Sequence, residues 1–423
     1  MPNRRNAFYA LIIFCLLLGF ISGRTFFFNL AYALGAVLIG AFVWSWTSVN
    51  WLTISRYTLA RRAQVGHSLD EYFAIHNTGL LLPKLWLEIR DHSTLPNHNP
   101  SHVVPTLLPR RQYRWETHTI CSRRGEYTLG PMTVLSGDPF GLFLLPRHIA
   151  AMSRIIVYPP TVPIHRFATP LGTLSGGEAV RRRAHFITTN AAGVRDYQPG
   201  DSFNRIHWRS TARKDRLLVK EFELDPLADV WIFLDLSRSS LVERPQARSE
   251  NGNLFAPPPN LPPSTEEYGI TIAASLAQYF VGKGRALGFV TYSPYREIVQ
   301  PDRGPRQLTR ILEILAVARS ETDLTLAQLL ALEANYLARS TTAVMITSCK
   351  NEDWLAEVHI MIRRGIRVIC ILIDPRSFGD PIDSTPALRA MAEAAGATVY
   401  TVRQDDDLTA ALSYRAGIQN RVL

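Results

Sequence analysis

Hydrophobic residues fill two long runs near the start of the chain, with few polar positions inside them. The runs cover residues 7–23 and 26–46, and Arg24 lies between them. Each run approaches the roughly 20 apolar residues that a helix needs to cross a bilayer. The pattern predicts a hairpin of two transmembrane helices over residues 1–50.

Arginines flank this hairpin on both sides. Arg4 and Arg5 precede the first run, and Arg56, Arg61 and Arg62 follow the second. Basic residues favour the cytoplasmic side of a membrane, so the termini and the soluble domains are expected in the cytoplasm, anchored to the inner (plasma) membrane. A cleaved signal peptide is the alternative for the first run, and the second run would still leave the rest of the chain cytoplasmic.

Short alternating runs broken by turn residues follow over residues 51–160. Such alternation predicts an antiparallel, immunoglobulin-like β-sandwich of roughly seven strands. The Asp-Pro-Phe-Gly turn at residues 138–141 is expected to bury Phe140 and Phe143. The histidines of this segment follow no metal-binding spacing, so we expect a spacer or docking module.

Strands and helices alternate over residues 229–423. The apolar run at residues 229–235 is typical of a strand buried on both faces, and later runs repeat the alternation with helical segments. This order predicts an α/β doubly wound sheet with one antiparallel edge strand near residues 296–300. Ligands of such sheets bind outside the carboxyl ends of the strands.

A D-x-S-x-S pattern lies where the first of these strands is expected to end. Asp235, Ser237 and Ser239 offer one carboxylate and two hydroxyls from a single turn. Hard oxygen ligands of this kind suit Mg²⁺ with several waters retained. Equally, Asp235 and the serines can cap the segment that follows, so both interpretations stay open.

The connector over residues 161–228 contains a charged block at residues 193–223. Near-equal opposite charges around a tight turn predict a structural brace or docking element, in which Asp196, Asp201, Arg205 and Arg213 pair in a buried network. The block comprises Asp196, Tyr197, Pro199, Gly200, Asp201, Arg205, His207, Trp208 and Arg213.

A hydrolase site is the alternative interpretation of the block. His207 would act as the base, Ser210 or Thr211 as the nucleophile, and Asp196 or Asp201 would orient the imidazole. The chain offers no G-x-S-x-G elbow at this place. An enzyme is therefore the less favoured class.

The formal net charge of +10 permits an anionic partner. Nucleic acid is disfavoured, because the basic residues lack the interleaved aromatic side chains of stacking platforms. Arg181, Arg182 and Arg183 form either a solvated face or a contact with anionic lipid headgroups.

The block Asp-Tyr-Gln-Pro-Gly-Asp, followed by Arg-Ile-His-Trp and Ala-Arg, resembles the signature of the bacterial "domain of unknown function 58" family. Segments 124–131 and 138–143 and the hairpin also resemble that family. The resemblance implies a membrane-anchored protein, often accompanied by MoxR-type AAA+ ATPases and sometimes by transglutaminase-like membrane proteins.

The α/β segment resembles a von Willebrand factor A domain. Members of that family carry a metal-ion-dependent adhesion site. The resemblance implies that such a site is formed here by Asp235, Ser237, Ser239 and Thr322. Ser348 stands where the family usually carries Asp, so the site is incomplete. The expected function is a scaffold or adaptor that binds a partner protein, with Mg²⁺ as the one implied cofactor.

Overall fold

The computed structural model describes most of the chain, and its contacts divide it into two compact units. It describes residues 2–167, 191–198, 203, 206–222, 229–244, 261–339 and 341–413. Unit 1 comprises Met1–Val162, Val242–Ser275 and Leu308–Glu321, and unit 2 comprises Pro163–Leu241, Leu276–Gln307 and Thr322–Leu423.

Unit 1 begins with two antiparallel apolar helices, α1 (Pro2–Ser22) and α2 (Thr25–Val49). Both are long and apolar enough to cross a membrane, and they suggest a membrane anchor. Gly23 forms the turn between them with a φ of 65°, a conformation that glycine adopts without steric cost. At 1.5 Å per residue, the 25 residues of α2 extend for about 38 Å.

Ten strands follow and form three sheets. One sheet has the order β1-β3-β6, a second β5-β4-β8-β9 and a third β2-β10-β7, and all pairs are antiparallel except β2 with β10. The strands are β1 (Leu52–Thr58), β2 (Arg62–Gln64), β3 (Ser68–Asn77), β4 (Lys84–Asp91), β5 (His102–Leu107), β6 (Gln112–Ile120), β7 (Gly125–Leu129), β8 (Met132–Gly137), β9 (Leu144–Ile149) and β10 (Ser153–Tyr158).

The first two sheets pack face to face and form the sandwich. Phe73 and Ile75 of β3 belong to one hydrophobic core with Leu87 and Ile89 of β4. Alternate residues of each strand point inward, as the period of two in the sequence predicts. Burying each of these side chains stabilises the unit by about 1.5 to 3 kcal/mol.

A cluster of charged side chains is also buried in this sandwich. Arg56 binds Glu71 at 2.8 Å and Asp91 at 3.0 Å, and His98 Nε2 lies 2.9 Å from Glu71. The Glu71 side chain has no exposed surface. Burial would raise its pKa, but the hydrogen bonds and charges of His98 and Arg56 outweigh burial and lower the pKa to about 2. Each buried charge of the cluster is therefore stabilised by its partners, and the removal of one charge takes a partner away from the others.

Unit 2 contains a six-stranded sheet of order β15-β14-β13-β16-β17-β18, in which every pair is parallel except β14 with β15. The antiparallel edge strand matches the sequence prediction. The strands of this sheet are β13 (Val230–Leu234), β14 (Leu287–Tyr292), β15 (Arg296–Asp302), β16 (Thr342–Thr347), β17 (Arg367–Ile373) and β18 (Thr398–Val402), and the helices of unit 2 are α6 (Leu326–Glu333), α7 (Trp354–Arg363), α8 (Thr385–Ala394) and α9 (Leu408–Ala411). Two further helices, α4 (Thr265–Gly282) and α5 (Pro305–Val317), belong mostly to unit 1.

The sheet of unit 2 buries one face against α6, α7 and α8. Trp231 and Phe233 of β13 and Met345 of β16 share a core with Leu330 of α6 and Val358 of α7. All residues of β13 and β16 are buried, which explains their continuous apolar sequence. This packing fixes the carboxyl ends of the two central strands.

One sequence expectation is wrong within the Asp138–Phe143 turn. Phe143 is buried against α2, whereas Phe140 is 57% exposed. Asp138 accepts hydrogen bonds from the backbone N–H groups of Phe140 at 2.8 Å and Phe143 at 2.6 Å. These bonds fix the turn, and they direct the Phe140 side chain outward.

Candidate functional site

The candidate site is the turn that follows β13, here called the serine turn (Asp235–Ser240). Asp235 Oδ1 accepts a hydrogen bond from the Ser237 backbone N–H at 3.0 Å, and Oδ2 accepts one from Thr347 Oγ1 at 2.6 Å. Asp235 is buried where β13 ends, beside the end of β16. A single carboxylate therefore joins the turn to the neighbouring strand.

The hydroxyls of the serine turn form a connected group. Ser237 Oγ lies 3.1 Å from Ser239 Oγ and 3.2 Å from Ser240 Oγ. Ser348 Oγ donates to the carbonyl of Ser240 at 2.6 Å, so the side chain at the expected acidic position binds the turn itself. Ser237 and Ser240 are buried, whereas Ser239 is exposed. The group is therefore reachable from solvent at Ser239.

Thr322 lies next to these serines although it is distant in sequence. It forms an isolated parallel bridge with Ser237, and its carbonyl accepts a hydrogen bond from the Arg238 N–H at 2.9 Å. Its Oγ1 accepts from the Leu324 N–H at 3.1 Å. All four residues predicted for the metal site thus come together at one edge of the sheet.

The electrostatics of the serine turn depend on one buried carboxylate. Burial raises the pKa of Asp235, and the hydrogen bonds from Thr347 and Ser237 oppose that shift. A divalent cation would favour the charged form. Among the described residues no group of three or more His, Cys, Asp and Glu side chains could hold a metal. One carboxylate with neighbouring hydroxyls fits Mg²⁺ that keeps several waters.

Sequence reasoning missed two residues of this site. Thr347 is the direct partner of the Asp235 carboxylate, and Ser240 connects the turn to Ser348. The sequence pattern could have indicated Thr347, because this residue ends the strand that lies beside β13. The carboxyl ends of neighbouring parallel strands meet at the same edge of a sheet.

The charged block forms a small element of its own in unit 2. Strands β11 (Ala191–Asp196) and β12 (Leu218–Phe222) pair antiparallel, and α3 (Trp208–Lys214) lies between them in sequence. His207 caps α3, since its Nδ1 accepts a hydrogen bond from the Ser210 N–H at 3.1 Å. Pro199, Gly200, Asp201 and Arg205 lie outside the described residues, as do Arg181–Arg183.

The expected burial of this block is wrong for the charges that the structure describes. Asp196 and Arg213 are exposed, and Asp196 pairs with Arg216 at 3.2 Å on the surface. Trp208 is also exposed, whereas Ile206 is buried. Asp196 and Arg213 are therefore not part of a buried network, and Asp201 and Arg205 lie outside the described residues. In a catalytic triad the orienting carboxylate would use His207 Nδ1, which here caps a helix.

A buried arginine connects distant segments of unit 1. Arg124 donates to Glu266 at 2.5 Å, to Glu267 at 3.0 Å and to the carbonyl of Ala318 at 2.7 Å. Its side chain is 1% exposed. We call this arrangement the Arg124 clamp. Sequence reasoning noted the segment but assigned Arg124 no role, because its partners lie far along the chain.

Two apolar N-terminal helices that suggest a membrane anchor, a β-sheet unit and an α/β unit with a hydroxyl-rich turn define a protein of mixed α/β architecture. The chain belongs to the family described as "Protein of unknown function DUF58", whose model matches residues 193–405, half of the chain.

Similar proteins include the "Uncharacterized protein YeaD" of Bacillus subtilis (strain 168), 23% identical over 256 residues that cover 59% of this chain and 56% of that protein. The chain therefore matches little more than half the length of this relative. An aerotolerance-related membrane protein from Bacteroides fragilis is 15% identical, with a TM-score of 0.30 over 44% of this chain and 94% of that chain. The conserved hypothetical protein BatB from Bacteroides thetaiotaomicron is 12% identical, with a TM-score of 0.31 over 44% and 93%.

Proposed function

We propose that the chain is a membrane-anchored cytoplasmic scaffold whose von Willebrand A-like domain binds a partner protein at the serine turn through Mg²⁺. The observation that carries this proposal is the convergence of Asp235, Ser237, Ser239 and Thr322 at one edge of the sheet.

The position of the serine turn supports a ligand site. From β13 the chain adds β14 on one side, and it later adds β16 on the other side. Ligands of open α/β sheets bind where the direction of the crossovers reverses, outside the carboxyl ends of the strands. Asp235 directly follows β13, and Thr347 is the last residue of β16, the two strands between which the direction reverses. The site is therefore in the place that the topology favours.

The chemistry of the turn supports a bridging metal. With one carboxylate from this chain, a bound Mg²⁺ keeps one positive charge uncompensated, and water fills its remaining positions. A carboxylate from a partner protein would replace water and neutralise that charge. Because Ser348 stands in place of a second acidic residue, this chain does not supply that carboxylate itself. Binding to a partner and binding of the metal are then coupled.

The partner is a MoxR-type AAA+ ATPase in this proposal, as the family resemblance implies. A nucleotide-driven ATPase works in the cytoplasm, and the arginines around the apolar helices favour the same side for the α/β domain. A transglutaminase-like membrane protein is a second partner that the resemblance implies, within the same membrane.

The experiment compares retention of the purified MoxR-type ATPase of the same organism by full-length protein in lipid nanodiscs. Four samples are compared: wild type with Mg²⁺, wild type with EDTA, Asp235→Asn with Mg²⁺, and Asp302→Asn with Mg²⁺. Asp302 is an exposed control carboxylate at the end of β15, opposite the start of β14.

We expect retention in the wild type and in Asp302→Asn with Mg²⁺, and loss in the other two samples. Equal retention in all four would show that Asp235 only caps the turn. Absence of retention in every sample would exclude this ATPase as the partner.

A further inference from the structure

Three connections of the sandwich lie at the same end as the exit of α2. Strand β1 begins three residues after α2 ends, and Leu52 pairs with Asn77 at the end of β3. The backbone N–H of Asn77 donates to the carbonyl of Arg111, which places the β5–β6 connection beside it. The β8–β9 connection is at this end too, because Ser136 near the end of β8 pairs with Leu87 near the start of β4.

This end of the sandwich is attached to the apolar helices. The backbone N–H and Oγ1 of Thr78 both donate to the carbonyl of Trp51 at 2.8 Å. Lys84 Nζ binds the carbonyl of Thr47, and Ser45 Oγ donates to the carbonyl of Phe143 at 3.1 Å. Leu142 and Phe143 also pack with Ala41, Leu38 and Phe8, so the end contacts both helices.

The tips of the same connections are apolar and open to solvent. Leu81 is 86% exposed, and its neighbours Leu80 and Leu82 and the tip residues Leu108 and Phe140 are also exposed. Isolated exposed apolar residues are ordinary, but several on adjacent connections mark an interaction surface. We call Leu80–Leu82, Leu108 and Phe140 the apolar tips.

Basic residues accompany the apolar tips. Arg110 and Arg111 are exposed at the β5–β6 connection, and Arg4 Nη1 lies near Gly141 in the β8–β9 connection. Apolar side chains beside arginines suit an interface of acyl chains and anionic headgroups.

The length of α2 brings this surface to the level of the membrane. A helix of about 38 Å is longer than the roughly 30 Å hydrocarbon core, so about one or two turns extend beyond it. The last turns of α2 carry Ala41, Ser45 and Thr47, the residues that contact the sandwich. Interfacial elements bury apolar side chains to a depth of about 5 to 10 Å, which the apolar tips can reach from this position.

We propose that the apolar tips are immersed in the lipid interface, so that the sandwich is attached to the membrane at five side chains in addition to the two helices. The occupant of this surface is the phospholipid bilayer with anionic headgroups. Continuity with the membrane helices favours lipid over a second protein.

The experiment measures contact with lipid at single positions of the full-length chain in nanodiscs. An environment-sensitive nitrobenzoxadiazole (NBD) probe is attached to Leu81→Cys, Phe140→Cys or Ile120→Cys in a Cys349→Ser background. The nanodiscs contain phosphatidylcholine and phosphatidylglycerol, with or without lipid that carries a nitroxide near the headgroup.

Ile120 is a matched control because it is apolar and 61% exposed but lies at the far end of the sandwich. It pairs with Ser68, at the opposite end of β3 from Asn77, about 30 Å away at roughly 3.3 Å per residue. Cys121 and Cys370 are fully buried and Cys15 nearly so, and Cys349 is replaced because it is only half-buried.

We expect nitroxide lipid to quench the probes at positions 81 and 140 at least about twofold more than the probe at 120, with emission at shorter wavelength. If the probe at either position is quenched no more than the control, the proposal is wrong. Blue-shifted emission without quenching would show that protein, such as a second copy, covers the tips instead of lipid. The serine turn is unchanged in all variants, so the outcome is independent of partner binding.

Discussion

The buried charge cluster of the sandwich allows a prediction whose size comes from the structure. Changing Glu71 to Gln leaves Arg56 and His98 without their shared carboxylate. The pKa of Glu71 falls from 4.5 to about 2 in the folded protein. At 1.36 kcal/mol for each pKa unit, this corresponds to about 3 kcal/mol of stability. Removing one partner of a buried ion pair costs a similar amount, about 3 to 5 kcal/mol.

The pH dependence has a definite sign. A lowered carboxyl pKa contributes stability that is fully present above the unfolded value of 4.5, and it disappears as the pH falls towards about 2. Wild type and Glu71→Gln should therefore differ most at neutral pH. The difference should narrow progressively below pH 4.5.

Hydrogen exchange of the full-length protein in nanodiscs is the appropriate assay, since unfolding of a protein with two compact units and two apolar helices is not two-state. A loss of 3 kcal/mol should accelerate exchange of the β1, β3 and β4 peptides about a hundredfold, corrected for intrinsic rates. Glu116→Gln is the control, because Glu116 lies on the neighbouring strand β6 with an exposed side chain. The reasoning is refuted if Glu71→Gln accelerates exchange less than about tenfold at pH 7, or no more than the control does.

Three further predictions concern other sites. Ser348→Asp should place a second carboxylate next to the serine turn, so that hydrogen exchange of the β13 and β16 peptides is faster than in wild type without metal. Mg²⁺ should slow this exchange more than it does in wild type, by about a hundredfold (about 2.7 kcal/mol) at a hundredfold excess over Kd, and the absence of a Mg²⁺ effect would contradict the metal site. Arg124→Met should lower the stability of unit 1 by about 3 to 5 kcal/mol and speed hydrogen exchange in the first turn of α4, whereas the exposed Arg123→Met should not. Equal exchange in the two variants would show that Arg124 does not stabilise this contact. His207→Ala should destabilise α3 by about 1 kcal/mol, because the cap of the helix is lost, and hydrogen exchange of the first turn of α3 measures this loss. The variant should still retain the ATPase, and lost retention would place His207 in the docking surface.

The sequence predicted features that depend on local pattern. The apolar helices, the alternation of strands and helices and the antiparallel edge strand all follow from hydrophobic periodicity. The site residues Asp235 and Thr322 were found through motif resemblance, and the parallel pairing of Ser237 with Thr322 brings them together.

Features that depend on distant partners could not be predicted in this way. The exposure of Phe140 is a local exception, because it follows from the hydrogen bonds that Asp138 accepts within its own turn. Asp196 lies on the surface, where it pairs with Arg216, 20 residues away. Thr347 binds Asp235 across 112 residues of sequence. The meeting of the parallel strand ends indicates that Thr347 lies near Asp235, but composition and spacing do not show which side chains form the hydrogen bond.

The Arg124 clamp has a consequence for the synthesis of the chain. The partners of this arginine lie 142 residues downstream at Glu266 and 194 residues downstream at Ala318. At about 5 to 20 residues per second, the ribosome needs roughly 10 to 40 s to make that length of chain. During this interval the sandwich strands have already emerged, while the guanidinium still depends on water for its hydrogen bonds. A fragment that ends at residue 160 would stay in that state permanently, so unit 1 is complete only when the chain has been made as far as Ala318.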